Sequence, residues 1–182
     1  MTELNCVKGS NLRLRLVQDK DAAYIHGLRT NPPYNQHLSE VRGTVEDQRR
    51  WIEAYKAREA KGTELYYLIE RLDGTRCGTV RLYDILENEF TWGSWILDHN
   101  KPQKAALESA VLSFGIGFGQ LQRQVALIDV RADNERALKF YRRFGMQEVD
   151  QDDNNVYFTY HRNRFRADRA RHLSVVTGGL TD

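Results

Sequence analysis

The sequence is short of the features that mark secreted, membrane and metal-binding proteins. It has two cysteines and three prolines in 182 residues, and no apolar run reaches the roughly 20 residues that span a bilayer. Cys6 and Cys77 are far apart and belong to no CxxC motif, so we expect reduced thiols and no metal site. The N-terminal segment lacks the apolar core of a secretory signal peptide. These absences predict a cytoplasmic protein with no membrane partner.

A strong charge of one sign is also absent, because the net charge is only +2. The charge is uneven, however: residues 161–172 carry five arginines and one aspartate, which leaves the rest of the chain mildly acidic. The length is that of one domain. We therefore expect a single domain over residues 1–160 and a basic, flexible C-terminal tail over residues 161–182. Such a tail can contact an acidic partner or a nucleotide phosphate, but the sequence indicates no nucleic-acid-binding module.

The hydrophobic periodicity alternates between strands and helices without internal repeats. Helices are predicted from Asp19 to Leu28, from Thr44 to Ala60 and from Gln103 to Leu121, and residues 30–43 are predicted as a loop or an irregular helix. Six segments have the composition of strands, and a further short helix lies between the last two of them. This order predicts one mixed α/β domain. The six strand segments are Leu12–Val17, Leu65–Glu70, Thr79–Tyr83, Glu89–Leu97, Val125–Val130 and Val156–Tyr160.

The most informative segment is residues 129–145, which read DVRADNERALKFYRRFG. A short β-rich strand ends in an Asp-Asn turn and leads into a short amphipathic helix. That helix carries the pattern N-x-x-A-x-x-x-Y-x-x-x-G at Asn134, Ala137, Tyr141 and Gly145. Ala137 and Tyr141 lie one turn apart on the same face, and Gly145 suits a left-handed C-cap. Taken alone, the same residues also describe a plain packing helix with a half-buried tyrosine.

Together with the order of elements, this pattern resembles the GNAT superfamily of acetyl-CoA-dependent N-acetyltransferases over residues 12–160. The resemblance implies the GNAT fold, a mixed α/β (α+β) domain whose central, mostly antiparallel, twisted sheet is flanked by helices. It also implies a cleft where the fourth and fifth strands, here Glu89–Leu97 and Val125–Val130, splay apart. Acetyl-CoA is the implied cosubstrate, with no metal. Tyr141 is the implied acid that protonates the departing thiolate, and Asn134 the implied partner residue at the helix start.

The fourth predicted strand contains the segment WGSWIL at Trp92–Leu97. A glycine inside a strand often marks a bulge or a close backbone approach, so Gly93 followed by Ser94 predicts a bulge. In the family, a bulge at this place admits the pantetheine arm, and freed backbone N–H groups can bind the thioester oxygen as charge develops on it. The alternative is that the two tryptophans are core residues beside a spacing glycine, and both can hold together. The expected cofactor contacts are Trp95, Ile96 and Leu97.

The expected phosphate loop departs from the family pattern. The family pattern is Q/R-x-x-G-x-G/A, in which bare backbone amides grip phosphate at the start of a helix. The matching residues here, 100–105, read NKPQKA. Gln103 stands in place of a glycine and disfavours a positive φ, and Pro102 contributes no N–H. We therefore expect weaker backbone cradling, offset by lysines that contact phosphate directly. The expected cofactor contacts are Lys101, Gln103, Lys104, Ala105 and Ala106.

N-acetylation requires a neutral amine, so the enzyme needs a base or a substrate whose amine has a pKa near neutral. No single residue of the sequence is a compelling base. His37, in the loop expected to cover the acceptor site, is the first candidate. Asp84, Glu87 and Glu89, between the third and fourth predicted strands, are the alternatives. The expected acceptor contacts are Tyr34, Asn35, His37, Tyr83 and Trp92.

Two classes of function remain open. The first is an acetyltransferase that acts on a small-molecule amine, and a nucleotide-linked amino sugar is favoured. The segments LRTNPPYNQHLS, GTVRLYDI and WGSWIL resemble GNAT proteins of bacterial surface-sugar synthesis. An acetyltransferase of protein N-termini, of the ribosomal-protein type, is a close alternative. The second class is a GNAT-fold protein that binds without turnover, which the missing loop glycine suggests. The Asn134–Tyr141 pair favours the catalytic class over the non-catalytic one. The resemblance also allows a homodimer.

Overall fold

The computed structural model describes residues 2–178. The strands within this range are β1 (Cys6–Lys8), β2 (Leu12–Leu16), β3 (Leu65–Arg71), β4 (Arg76–Tyr83), β5 (Glu89–Leu97), β6 (Val125–Arg131), β7 (Gln147–Gln151) and β8 (Asn155–His161). They form one sheet in the order β1-β2-β3-β4-β5-β6-β8-β7. Neighbouring strands are antiparallel except for β5 and β6, which are parallel. The mixed, mostly antiparallel sheet that the sequence predicted is confirmed.

The helices lie between the strands and on both faces of the sheet. They are α1 (Thr2–Asn5), α2 (Ala22–Thr30), α3 (Pro32–Asn35), α4 (Val45–Ala60), α5 (Ala105–Gly115), α6 (Glu135–Phe144) and α7 (Arg162–Val176). A 3-10 turn, Asp19–Asp21, precedes α2, and a π-helical turn, Ile116–Gln120, continues α5. The predicted start of α4 is confirmed by a capping box, in which the Thr44 hydroxyl accepts from the Asp47 N–H and the Asp47 carboxylate accepts from the Thr44 N–H.

Side-chain alternation assigns the two faces of the sheet to two cores. In β2, Leu12, Leu14 and Leu16 are buried, while Arg13 and Arg15 alternate with them and pair with the buried carboxylate of Glu70. The larger core lies under α5, α6 and α7 and contains many aromatic rings from β5, β8 and these helices. The smaller core packs α2 and α4 on the opposite face and includes residues of β3. That second layer stops short of β6 and β8, so their face there is left open.

The sequence analysis missed two strands. β1 is only three residues long, and all five side chains of β7 are exposed. Neither segment therefore has the buried alternation by which a strand is recognised in sequence. Strand β7 pairs with β8 at the edge of the sheet, so its position depends on a partner and not on its own hydrophobicity.

The expected flexible tail is wrong for residues 162–176, which form helix α7. Phe165, His172, Val175 and Val176 are buried, and the ring of Phe165 lies 5.4 Å from that of Phe118 in the larger core. The arginines between them occupy the solvent face, so their number hid a helix whose apolar residues recur at helical spacing. The last part of the expected tail, residues 179–182, lies outside the described range.

Cys6 is exposed and Cys77 is buried, and both are free thiols, as the sequence predicted. Among the described residues, none of the helices combines the length and the apolar character that a membrane crossing needs.

Candidate active site

The parallel strands β5 and β6 pair only at one end. Their pairs are Glu89–Val125, Phe90–Ala126 and Thr91–Leu127. Beyond Thr91 the two strands separate, and β6 continues alone beside β8. The splay predicted between these segments is confirmed, and it opens a cleft toward the carboxyl ends of both strands.

A bulge in β5 directs the strand away from β6. The register between β4 and β5 shifts where Arg81 pairs with Gly93 and Thr79 pairs with Ile96. Ser94, and not Gly93, has the positive φ of 47°, and the Thr79 hydroxyl donates a 3.1 Å hydrogen bond to its carbonyl. The predicted bulge is therefore confirmed one residue further along.

The bulge also places two indoles on the same face of the sheet. The rings of Trp92 and Trp95 lie 5.1 Å apart. Their N–H groups donate to the hydroxyls of Ser113 and Ser109 on α5. Trp92 is completely buried, so it is a core residue, and the sequence prediction that it contacts the acceptor is wrong. The alternative interpretation of the two tryptophans as core aromatics holds for Trp92.

The cleft forms a cavity of about 220 Å³ between β5, the start of α5 and α6. Six residues that the sequence analysis assigned to the cofactor line it, together with Tyr34, which was assigned to the acceptor. Three cofactor candidates from the phosphate loop and its helix, and Tyr141, do not reach its surface. The lining residues are Pro33, Tyr34, Trp95, Ile96, Leu97, Lys101, Ala106, Asn134, Arg136, Ala137 and Phe140.

The start of α6 lies in the wall of this cleft. Asn134 is the N-cap, and its side-chain oxygen accepts a 3.1 Å hydrogen bond from the Ala137 N–H. The cap leaves the amide nitrogen of Asn134 free to donate toward a ligand. Gly145 ends the helix with a φ of 101°, as its sequence position predicted.

Tyr141 packs behind the cleft wall. It is 6% exposed, and its ring lies 5.9 Å from that of Trp92, 6.3 Å from that of Trp95 and 5.6 Å from that of Phe158. Burial raises the pKa of the Tyr141 phenol, and the negative charge of Asp129 adds to the effect. The phenol therefore stays protonated at neutral pH, as a group that donates a proton must be.

The phosphate loop runs from Asp98 to Lys104. Its positive φ falls on Lys104, at 60°, and not on Gln103, where the family pattern suggested it. Lys104 is the N-cap residue of α5. Its ammonium group does not line the cleft: it donates a 2.6 Å hydrogen bond to the Val175 carbonyl of α7. The expectation that Lys104 contacts phosphate directly is thus not met in this conformation.

The residues that remain at the cleft fit a ligand with phosphate groups. The Ala105 N–H, the first of α5, donates to the Pro102 carbonyl at 3.3 Å. The next N–H groups have no carbonyl partner within the helix, and its positive dipole end adds to their attraction for anions. Lys101 and Arg136 bring two cations to the same cavity from opposite elements. The apolar surface of Trp95, Leu97 and Phe140 suits an aliphatic arm. Acetyl-CoA has both kinds of group, so the cleft fits it.

The loop between α2 and α4 crosses the mouth of the cleft. The Tyr34 hydroxyl lies 3.1 Å from Nδ1 of His99 and accepts from its backbone N–H. Nδ1 of His37 lies 3.2 Å from Oδ1 of Asp133, next to the α6 cap. Residues 34–37 therefore join the ends of the two splayed strands. The Asn35 side chain instead donates back to the Arg29 carbonyl, in the last turn of α2.

Tyr83 and Asp129 lie on the sheet face that the smaller core leaves open. Tyr83 lies beside the bulge, so close that a Cβ on Gly93 would lie 3.2 Å from its hydroxyl, and the Arg81 guanidinium is 4.5 Å above its ring. Asp129 follows the last β5–β6 pair and shares the face of Tyr83. Burial raises the pKa of Tyr83, and the Asp129 charge contributes. The Asp129 carboxylate thus contributes to the raised pKa of both Tyr83 and Tyr141.

The three carboxylates that the sequence offered as bases lie elsewhere. Asp84 and Glu87 are in the β4–β5 turn, and Glu89 pairs with Val125 at the closed end of the splay. The cleft opens at the opposite end of β5, so this end of the hairpin is remote from the bulge.

The sequence analysis did not single out Asp129, Arg136 or Phe140. Arg136 and Phe140 lie on the cleft face of α6 with Ala137. Their spacing from Asn134 and Ala137 along the helix could have indicated this position. Asp129 alternates with buried Ile128 and Val130, which puts it on the opposite face. That this face is uncovered cannot be read from the alternation.

Comparisons with known proteins agree with this geometry. The family model described as Acetyltransferase (GNAT) domain matches residues 11–147. The chain is similar to the ligand-free structure of FdhC, a nucleotide-linked sugar GNAT, with 36% sequence identity, a TM-score of 0.85, and coverage of 92% of this chain and 96% of that one. No curated protein gave a match.

Two more distant structures share the fold. One is the spermidine N-acetyltransferase from Vibrio cholerae in complex with CoA and spermine, with 16% identity, a TM-score of 0.76, and coverage of 87% of this chain and 99% of that one. The other is the ribosomal-protein-S5-alanine acetyltransferase from Vibrio fischeri, with 11% identity, a TM-score of 0.73, and coverage of 88% and 98%.

Proposed function

We propose a reaction and an acceptor for this chain, which belongs to the GNAT acetyltransferase family. It is an acyl-CoA N-acyltransferase. We infer that it transfers the acetyl group of acetyl-CoA to the primary amine of a nucleotide-linked amino sugar. We also infer a cytoplasmic setting, because both cysteines are free.

One observation carries the choice of acceptor: the similarity to a nucleotide-linked sugar GNAT extends over 92% of the chain at 36% identity. The similarities to the spermidine and ribosomal-protein enzymes, at 16% and 11% identity, are similarities of fold. The loop over the cleft agrees with a sugar, because Tyr34, Asn35 and His37 offer neutral hydrogen-bonding groups. A peptide would be expected to pair with a strand edge.

In the proposed reaction, the amine nitrogen forms a bond to the thioester carbon, and the carbon–sulfur bond breaks. Backbone N–H groups at the β5 bulge, between Ser94 and Ile96, stabilise the charge on the thioester oxygen. The departing thiolate takes a proton from the Tyr141 hydroxyl, and Asn134 orients the coenzyme. The phenol then recovers its proton from solvent.

The amine must also lose a proton. His37 remains our first candidate base, since it lies on the loop over the cleft and its Nε2 is not used in the contact with Asp133. Asp129 is a second candidate, because it shares a sheet face with Tyr83 beside the bulge. The variants His37→Gln and Asp129→Asn distinguish the two candidates. The variant that lacks the true base loses the rise of kcat/KM with pH, and the other variant retains it.

The acceptor is tested by a thiol-release assay with acetyl-CoA and a panel of amines. The panel contains nucleotide-linked amino sugars with the amine at different ring carbons, the matching free amino sugars, spermidine and peptides with free N-termini. We expect the highest kcat/KM for a nucleotide-linked sugar, and a large loss for the free sugar, which lacks the nucleotide. Preferential acetylation of peptides would establish the N-terminal alternative and defeat the sugar proposal.

Loop variants test the contacts. Tyr34→Ala and His37→Ala are expected to raise KM for the sugar, and Tyr83→Phe is expected to lower kcat/KM because its hydroxyl lies at the bulge. A protein that binds acetyl-CoA in calorimetry but releases no thiol with any amine would support the non-catalytic class.

A further inference from the structure

Lys104 occupies a backbone conformation that suits glycine. Its φ of 60° and ψ of 12° are left-handed, which a Cβ makes unfavourable for most residues. The residue is also the N-cap of α5, and its side chain makes no capping hydrogen bond. Its carbonyl accepts the first helical hydrogen bond, from the Glu108 N–H at 3.0 Å. The backbone from which α5 begins therefore depends on this one strained residue.

The Lys104 side chain is held by Val175, a residue 71 positions further along the chain. Its ammonium group donates a 2.6 Å hydrogen bond to the Val175 carbonyl, in the last turn of α7. The C-terminal end of a helix carries partial negative charge and unpaired carbonyls, which favour a cation there. The bond thus stabilises the left-handed turn through the Lys104 side chain, which makes no capping hydrogen bond within the turn.

Helix α7 is fixed well enough to act as the anchor. Val175 and Val176 are buried, and the His172 ring stacks on Phe144 at 4.4 Å with its Nε2 3.2 Å from the Phe144 carbonyl. This helix lies outside residues 11–147, which match the family model.

We propose that Lys104 is a positioning residue for the phosphates of acetyl-CoA: its bond to the Val175 carbonyl of α7 holds the left-handed turn that directs the N–H groups of α5. The bond takes the place of the glycine that this loop lacks. The inference rests on acetyl-CoA binding at the start of α5 and is independent of the acceptor.

The test compares two variants of one position by calorimetric titration with acetyl-CoA. Lys104→Ala removes the bond and keeps a Cβ in the left-handed region, so we expect Kd to rise roughly tenfold. Lys104→Gly removes the same bond but adopts the turn without strain, so we expect Kd to stay within about threefold of wild type. In Lys104→Ala the KM for acetyl-CoA should rise with Kd, by a larger factor than any change in kcat.

Equal losses of affinity in the two variants would mean that Lys104 moves to the phosphate and contacts it, which would overturn the inference. Unchanged affinity in both would overturn it as well. A wild-type protein that does not bind acetyl-CoA would overturn the proposed function and this inference with it, so the two failures are distinguishable.

A second arm loosens the anchor and leaves Lys104 in place. Val175→Ala with Val176→Ala removes apolar contacts of the last α7 turn, and thermal melts confirm that the protein remains folded. When residue 104 is the native lysine, we expect this double substitution to raise the Kd for acetyl-CoA several-fold. When residue 104 is glycine, we expect no such rise. The same rise in both backgrounds would show that α7 acts by another route and would overturn the inference.

Discussion

Helix α6 and the loop before α5 form two walls of one cleft, but their shapes have different origins. Helix α6 carries its own boundaries: Asn134 caps its first turn, and Gly145 ends it in a left-handed conformation. Its shape therefore depends on residues within the helix and next to it. This is the segment whose pattern was easiest to interpret in the sequence.

The loop before α5 receives its shape from remote elements. The Tyr24 hydroxyl donates a 2.7 Å hydrogen bond to the Asp98 carboxylate, which in turn accepts from the Asn100 N–H at 2.7 Å. Lys104 is held by α7. The comparison indicates that the conformation of this loop depends on contacts with distant elements, whereas that of α6 depends on its own end residues.

The largest effect is expected on the α6 side. Tyr141→Phe removes the proposed acid, so kcat should fall by roughly 10²–10⁴-fold. Affinity for acetyl-CoA should be retained, because the ring keeps its contacts with Trp92 and Phe158. Steady-state kinetics and calorimetry measure the two effects. Tyr157→Phe, which removes a hydroxyl bonded to the exposed Asp152, is the control. Wild-type kcat in Tyr141→Phe would leave the residue a purely structural role.

On the loop side, Asp98→Ala leaves the Tyr24 hydroxyl and the Asn100 N–H without their partner in a place where Asp98 is 3% exposed. We expect the free energy of unfolding to fall by about 2 kcal/mol and the affinity for acetyl-CoA to fall with it. Urea unfolding and calorimetry check both. Asp153→Ala, at an exposed position, should change neither. An unaltered Kd in Asp98→Ala would show that coenzyme binding does not depend on the contacts that Asp98 makes, and it would contradict the role assigned here to remote contacts.

Gly145→Ala tests the local boundary of α6. The φ of 101° is unfavourable for alanine, and its Cβ would lie 2.9 Å from Oδ2 of Asp168. We expect a loss of about 1–2 kcal/mol in unfolding free energy, measured by urea unfolding. Gly119→Ala is a matched control, because a Cβ there meets no atom within 4 Å. A loss at Gly119 equal to that at Gly145 would contradict the role assigned to the left-handed cap.

The smallest effect concerns the anchor helix. Burial lowers the pKa of His172, and the nearby charge of Arg171 contributes. Below roughly pH 6.5 the unfolded chain binds a proton at this residue that the folded chain excludes. The free energy of unfolding should therefore decrease as the pH falls from 7 to 5. His172→Phe keeps a ring against Phe144 and should show a smaller decrease, by a fraction of a kcal/mol. Parallel curves for the two proteins would exclude His172 as the cause.

Much of the fold was accessible from the sequence because it is encoded locally. The alternation of β2, the capping box of α4 and the motif of α6 each involve residues that are close together in the chain, and all three segments form as predicted. The bulge followed from Gly93 and Ser94, although the positive φ fell on Ser94. The expected tail was wrong because the arginines of α7 outnumber the apolar residues that anchor it.

The candidate site divides along the same line. Trp95, Ile96 and Leu97 on β5 and Asn134 on α6 were predicted from the resemblance to the GNAT family, and all four line the cleft. The capture of Lys104 by α7, the burial of Trp92 and the placement of Asp129 beside Tyr83 depended on which elements pack against one another. The Lys104–Val175 bond joins residues 71 positions apart, and the other two features depend on which faces another layer covers; periodicity carries no information about either. The sequence by itself determined most of the elements and their local turns, and the tertiary structure decided which charged and polar groups those elements bring to the cleft.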